Sequence, residues 1–348
     1  EWRAEEGWPP SGQQPQTFFL NADHSLSTQP GQQARHELAY RPAATQEGGG
    51  PDFWWGDIWG DQRSVDAYSL AYDSAPLREP LSILGRPRAC LRATASAPTA
   101  HWFVRLSDIA PDGVTTLVTG AGMAGAQRES ARDPTPLVPG QEYQLCLDLH
   151  LISWVFPAGH RLHVAVSNSM WPMIWPTPYA MTTTLELGAG NGSQIVLPVV
   201  PEHGSLPAPR FSAPELEPAA AGAQQPAAAL NLSSNVSGKD WITRRDPARQ
   251  QSTVEWRGGD VDDYPWGTEE IREDMLFRAD DLHPDQSSVH GETVMTVRLK
   301  ERLLEWRTLI DTRSDAQNFY TDVTRELREN DQLIRRRQWQ STIPRDGH

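Results

Sequence analysis

Residues 101–120 read HWFVRLSDIAPDGVTTLVTG. Two β-rich runs, HWFVRLSDI and TTLVTG, meet across Pro111-Asp112-Gly113. Proline presets one turn torsion and glycine accepts the conformation other residues avoid, so this is a hairpin signal. The same grammar recurs outward from it. SVDAYSLAY (64–72) and PRACLRAT (87–94) alternate. EYQLCLDL (142–149) places Tyr143, Leu145, Leu147 and Leu149 on one face, and RLHVAVS (161–167) does so with Leu162, Val164 and Val166. TTTLEL and QIVLPVV flank Asn191-Gly192, a favoured two-residue hairpin pair. Strands recur about every ten residues with no convincing helix, which predicts an all-β antiparallel sandwich of jelly-roll (galactose-binding-like) type.

Four segments follow from this pattern. Residues 1–63 are irregular, and 64–204 hold the sandwich. Residues 205–230 are rich in Pro and Ala without core periodicity and read as a linker. Residues 231–348 form a second antiparallel β unit, a meander or part of a small barrel. Its front, 257–285, carries ten acidic residues against three basic. Behind it come four strand-like runs: TVMTVRL, EWRTLIDT, NFYTDVTREL and QLIRRRQWQSTI. RELREN has some helical character, but Phe319, Val323 and Leu327 fit a strand.

Composition narrows the partners. The net charge is −14, and a polyanionic surface repels phosphates, so neither nucleic acid nor a membrane is expected as partner. Arg335-Arg336-Arg337 is the one basic run and reads as an ion-paired face beside Glu326, Glu329 and Asp331. No run approaches membrane-spanning length. The chain begins at Glu1, which reads as a fragment or processed product. Its compartment is left open, with the cytoplasm favoured. Cys90 and Cys146 sit in apolar-alternating runs; buried free thiols are the expectation, with a disulfide left open.

Tests for chemistry come out negative. A nucleophile elbow needs Gly two residues before Ser, because the strained turn crowds out side chains there. No serine or cysteine in the chain meets this, so no catalytic residue is assigned. Gly120-Ala-Gly122-Met-Ala-Gly125 matches a dinucleotide fingerprint, but prolines 134, 136 and 139 preclude the helix that must follow, and the segment reads as a loop. His160 and His163 fall on opposite faces of a strand. Asp260, Asp262 and Asp263 begin like a calcium loop, but Pro265 and Ile271 occupy positions that need Gly and Glu. Neither a metal nor a cofactor is expected.

Fourteen tryptophans need burial or partners. Phe53, Trp54, Trp55 and Trp59 crowd one loop. Trp171 and Trp175 crowd another with Met170, Met173 and Ile174. Burial within the chain under their own loops is one reading of both clusters; otherwise these six aromatics are the candidates for a substrate pocket or a domain interface. A sugar-stacking platform is the competing reading, making the sandwich a carbohydrate-binding module. A homo-oligomer also stays open.

Five segments then appear in order: YDSAPLREPLSILGRPRACLRATASAP (72–98), VRLSDIAPDG (104–113), RES (128–130), PLVPGQEY (136–143) and VFPAGHRLHVAVSNS (155–169). Together they resemble the C-terminal β-sandwich of the cocaine esterase / X-Pro dipeptidyl-peptidase (CocE/NonD) serine hydrolases, over about residues 60–187. EWRAEEGWPP and TFFLNADHSLS look like that family's passage out of its catalytic domain. The segment from 231 is similar to a C-terminal extension of some members, ending in a W-x-x-x-IPR pattern at Trp339–Arg345. The resemblance implies an upstream α/β-hydrolase domain that holds the catalytic Ser, Asp and His. It implies a sandwich that packs on that domain and helps wall its active site. The Ala100-His101-Trp102 and Met173-Ile174-Trp175 stretches depart from the family's usual residues.

Overall fold

The structure, a computed structural model, describes residues 2–42, 61–188, 192–212 and 240–347. It is built from three antiparallel sheets. The largest takes β1 (Gln14–Leu20), β2 (Leu26–Ser27), β3 (Ala34–Ala39), β5 (Leu81–Gly85), β6 (Arg88–Ala95), β9 (Tyr143–Asp148), β10 (Ile152–Phe156), β12 (Thr182–Leu187) and β13 (Gln194–Val200). The second, in the order β4-β11-β7-β8, takes β4 (Leu70–Asp73), β7 (His101–Ile109), β8 (Thr115–Ala124) and β11 (Arg161–Ser167).

The two sheets enclose one core. Alternation supplies it: Ala89, Leu91, Ala93 and Ala95 from β6, Leu145 and Leu147 from β9, Trp102, Val104 and Leu106 from β7, and Leu162, Val164 and Val166 from β11. The hairpin expected at 101–120 forms, with Ile109 paired to Thr115. β7 is buried along its whole length, so its outward residues are covered as well.

Local signals mislead at several points. Asn191 lies outside the described residues, and the strands that flank it, β12 and β13, are not paired to each other. Both strands pair with β6 instead, β12 at Arg92–Ala95 and β13 at Arg88–Cys90. SVDAYSLAY is not one strand: Arg63–Asp66 forms a short helix, α1, before β4 begins. The glycines at 120 and 122 lie within β8, and a 3-10 turn at Gly125–Gln127 follows, so this segment is not a loop. Packing explains two of them. A Cβ on Gly122 would come within 2.6 Å of the Phe103 ring, and one on Gly125 within 2.7 Å of Trp102. These rings lie across bare backbone, and no phosphate cradle is involved.

Cys90 and Cys146 form a disulfide, contrary to the expectation of buried thiols. They are paired neighbours on β6 and β9, with Cα atoms 4.1 Å apart. Both are half-buried. The alternation that sends Leu91 and Leu145 inward sends the two cysteines to the outer face.

The third sheet is a seven-stranded meander: β14 (Asp240–Asp246), β15 (Gln251–Tyr264), β16 (Gly267–Asp280), β17 (Ser288–Arg298), β18 (Leu303–Ser314), β19 (Asn318–Glu329) and β20 (Gln332–Pro344). Its first and last strands are not paired to each other, so it is an open sheet and no barrel. The acidic stretch 257–285 holds most of two long strands, β15 and β16, which pair from Gln251–Asp280 to Tyr264–Gly267. RELREN is strand up to Glu329.

The register gives this sheet two unlike faces. One row runs Trp256, Met275, Gly291, Ile310, Val323, Trp339; another runs Ile271, Met295, Trp306, Leu327. The opposite face carries cross-strand ion pairs such as Arg257–Asp274 at 3.4 Å and Arg336–Glu326 at 3.7 Å. Arg336 is thus ion-paired, as the run's acidic neighbours suggest. Among the described residues, the buried cluster on the apolar face holds only Val254, Ala279 and Trp171, with Phe277 beside them.

Candidate functional site

The outer face of the four-stranded sheet carries a buried polar cluster that resembles catalytic machinery. Arg105, 2% exposed, donates from Nη2 to Asp66 Oδ1 at 2.8 Å and to Ser69 Oγ at 3.1 Å. The His163 ring lies between two carboxylates, with Nδ1 2.6 Å from Asp73 Oδ1 and Nε2 3.1 Å from Asp66 Oδ2. Arg161 donates to the other oxygen of Asp73 at 3.1 Å. α1 and β4 supply the acids, and β7 and β11 the cations.

The electrostatics argue against catalysis. Burial disfavours the charged form of His163, but hydrogen bonds and charge from Asp66 and Asp73 outweigh it and raise its pKa to about 9. Near neutrality the ring is an imidazolium, with Nδ1 hydrogen-bonded to Asp73 and Nε2 ion-paired to Asp66 without hydrogen-bond geometry. It has no lone pair to accept a serine proton, so it cannot act as general base. His160 is held elsewhere, with Nδ1 2.8 Å from Asp108 Oδ1, and Trp154 Nε1 donates to the same carboxylate at 3.1 Å. His160 and His163 therefore serve different acids. Among the described residues no group of three or more His, Cys, Asp or Glu could hold a metal. Asp260, Asp262 and Asp263 lie on β15 rather than in a solvated loop, and Asp263 accepts from Thr268 Oγ1 at 2.7 Å.

The six aromatic candidates separate. Phe53, Trp54, Trp55 and Trp59 lie outside the described residues. Trp171 and Trp175 are placed, and both face the meander. Trp171 is 2% exposed and packs against Val254 and Ala279. Trp175 Nε1 donates to Ser314 Oγ at 2.9 Å, and its ring meets Phe319 edge-on at 5.7 Å. A sugar platform needs an open ring face; these two rings are engaged within the chain.

Arg345 closes this junction. It is 7% exposed, and its guanidinium lies 4.8 Å from the Phe319 ring centroid. Nη1 donates to Asp315 O at 2.9 Å, and Nη2 donates across to Pro176 O. Nearby, Tyr40 OH accepts from Thr177 N at 2.9 Å. Burial pushes the Tyr40 phenol up to about 12, so it stays neutral. The sequence marked Arg345 only as the end of a pattern; that it reaches the Trp175 segment depends on folding.

A second apolar feature involves Trp2, Trp8 and Phe211. Trp2 meets Phe211 edge-on at 5.1 Å, yet both are about 70% exposed. Ala4 bridges Leu206, so residues 2–5 run beside 205–211. Trp8 is 64% exposed.

Comparison with known proteins accounts for the sandwich. The family model for the X-Pro dipeptidyl-peptidase C-terminal non-catalytic domain matches residues 1–198, more than half of the chain. The chain belongs to that family. Cocaine esterase of Rhodococcus sp. is 28% identical over 187 residues, covering 49% of this chain and 33% of the esterase. A Mycobacterium bovis protein provisionally named a serine esterase is 26% identical over 224 residues, covering 57% of this chain and 36% of that protein. An aminopeptidase from a Thaumarchaeota archaeon shares the fold, with a TM-score of 0.53, 24% identity, and coverage of 58% of this chain and 39% of that one. The chain spans about a third of the length of these two curated relatives. The meander lies beyond the matched residues.

Proposed function

We propose that this chain is the companion part of a CocE/NonD-type serine hydrolase, packing on an α/β-hydrolase catalytic domain and shaping its substrate site. The observation that carries the reading is the match of residues 1–198 to a non-catalytic domain, in a chain with no elbow serine. The buried cluster supports it: His163, held between two acids, is a cation near neutrality. Trp2, Trp8 and Phe211 also support it. Exposed apolar rings suit a surface that another domain covers. A rigid sandwich suits the task, since its end loops reach a neighbouring cleft without unfolding. The Cys90–Cys146 bridge favours an oxidising compartment over the cytoplasm.

The reading is tested by expressing the reading frame upstream of Glu1 alone and together with this chain. Ester hydrolysis should require the upstream part and change in KM or kcat when residues 1–348 are added. An upstream part that does not associate with this chain would refute the reading.

A further inference from the structure

We propose that β20 is a self-pairing edge, joining two copies of this chain through an antiparallel β20–β20 contact. The proposal stands independently of the hydrolase reading.

Among the described residues β20 pairs only with β19, and it is exposed at every residue from Gln332 to Pro344. A strand this long with a free row of backbone donors and acceptors is a template for another strand. The edge is apolar as well as open. Trp339 and Ile343 end their rows on the apolar face and remain 45% and 53% exposed, for want of a neighbour on the outer side.

The charge pattern selects the partner and the register. In antiparallel self-pairing, the residue on the twofold axis faces its own copy. Centring on Arg336 sets Arg336 against Arg336 and Arg335 against Arg337. Centring on Arg337 still sets one arginine against its copy. Like charges directly opposite each other destabilise a sheet. Centring on Gln338 removes every such pair: Arg337 faces Trp339 of the second copy, Arg336 faces Gln340, and Arg335 faces Ser341. The Arg337–Trp339 juxtaposition occurs twice, once on each side of the axis, and places a guanidinium beside an indole, a favourable pairing. Centring on Trp339 also separates the arginines but sets Arg335 against the apolar Ile343. The Gln338 register keeps residue parity, so the apolar face of one sheet continues into that of the other. A second copy therefore fits this edge with charge and face both matched.

The test uses the full chain. Sedimentation velocity over a concentration series should show a discrete species of twice the monomer mass. Gln338 is exposed, and its side-chain amide donates to Thr324 Oγ1 at 3.3 Å, so substitution there leaves the core untouched. Gln338→Lys sets two cations on the axis and should weaken the dimer several-fold. Gln338→Cys should give a covalent dimer on non-reducing gels, since the two positions face each other. A chain that stays monomeric throughout overturns the proposal. So does a dimer that Gln338→Lys leaves unchanged and Gln338→Cys does not cross-link.

Discussion

Raising the pH from 6 to 9.5 removes the charge from a buried imidazolium, and the cost is read from the structure. The His163 side chain is 6% exposed between Asp66 and Asp73. Burial works against its charge, but the two carboxylates prevail and raise its pKa from 6.5 to about 9. In the unfolded chain it returns to its ordinary value. A folded pKa above the unfolded one adds stability that is complete below about pH 6.5 and is lost as the pH rises through about 9. The difference between those values corresponds to about 3 kcal/mol. Asp73 behaves in the opposite sense. Burial opposes its charge, but His163 and Arg161 hold its carboxyl below 3.8, so its contribution is lost only in acid. Stability should therefore hold level from about pH 4 to about 6.5 and then fall. Nitrogen-resolved NMR of the His163 ring reports the titration directly, and urea midpoints between pH 6 and 9.5 report its consequence. His163→Gln, which cannot ionise, should flatten that slope. A His163 ring that titrates at or below 6.5, or a His163→Gln variant with the parent's slope, would refute the reasoning.

Other consequences are local. The Cys90–Cys146 bridge closes a loop with a sequence separation of 56, so replacing both with serine should cost about 4 kcal/mol on the loop-entropy account. Thermal melts with and without the bridge check this. Gly122→Ala drives a methyl into the Phe103 ring and should cost about 1–3 kcal/mol; a melt equal to the parent's counts against that packing. Arg345→Ala removes charged hydrogen bonds to Asp315 O and Pro176 O, a loss of about 2–4 kcal/mol at the junction. Hydrogen exchange should then rise together in 170–178 and 313–320 while β6 and β9 stay protected.

Much of the fold was legible because alternation and turn chemistry are local. The hairpin at 101–120 and the inward faces of β9 and β11 follow from residue order alone. The pairing of β12 and β13 was not legible because β6 takes both strands, and pairing partners are non-local. The cysteines misled through parity: placing Leu145 and Leu147 inside already puts Cys146 outside. β15 and β16 were hard to read since every second residue faces a charged, ion-paired surface and the apolar row is thinned by Gly258 and Glu273. The polar cluster was invisible for the same non-local reason. Asp66, Asp73, Arg105 and His163 come from four separate elements, and no spacing rule connects them. Trp171 and Trp175 were legible as contact makers, but not that the contact lies with this chain's own meander.

The central claim is that the attacking group of the reaction belongs to polypeptide outside these residues. Treating the purified chain with a fluorophosphonate probe, alongside turnover of a p-nitrophenyl ester, tests it most directly. The account predicts no labelled serine and no turnover. A single stoichiometrically labelled serine, whose alanine variant abolishes measurable hydrolysis, would contradict it.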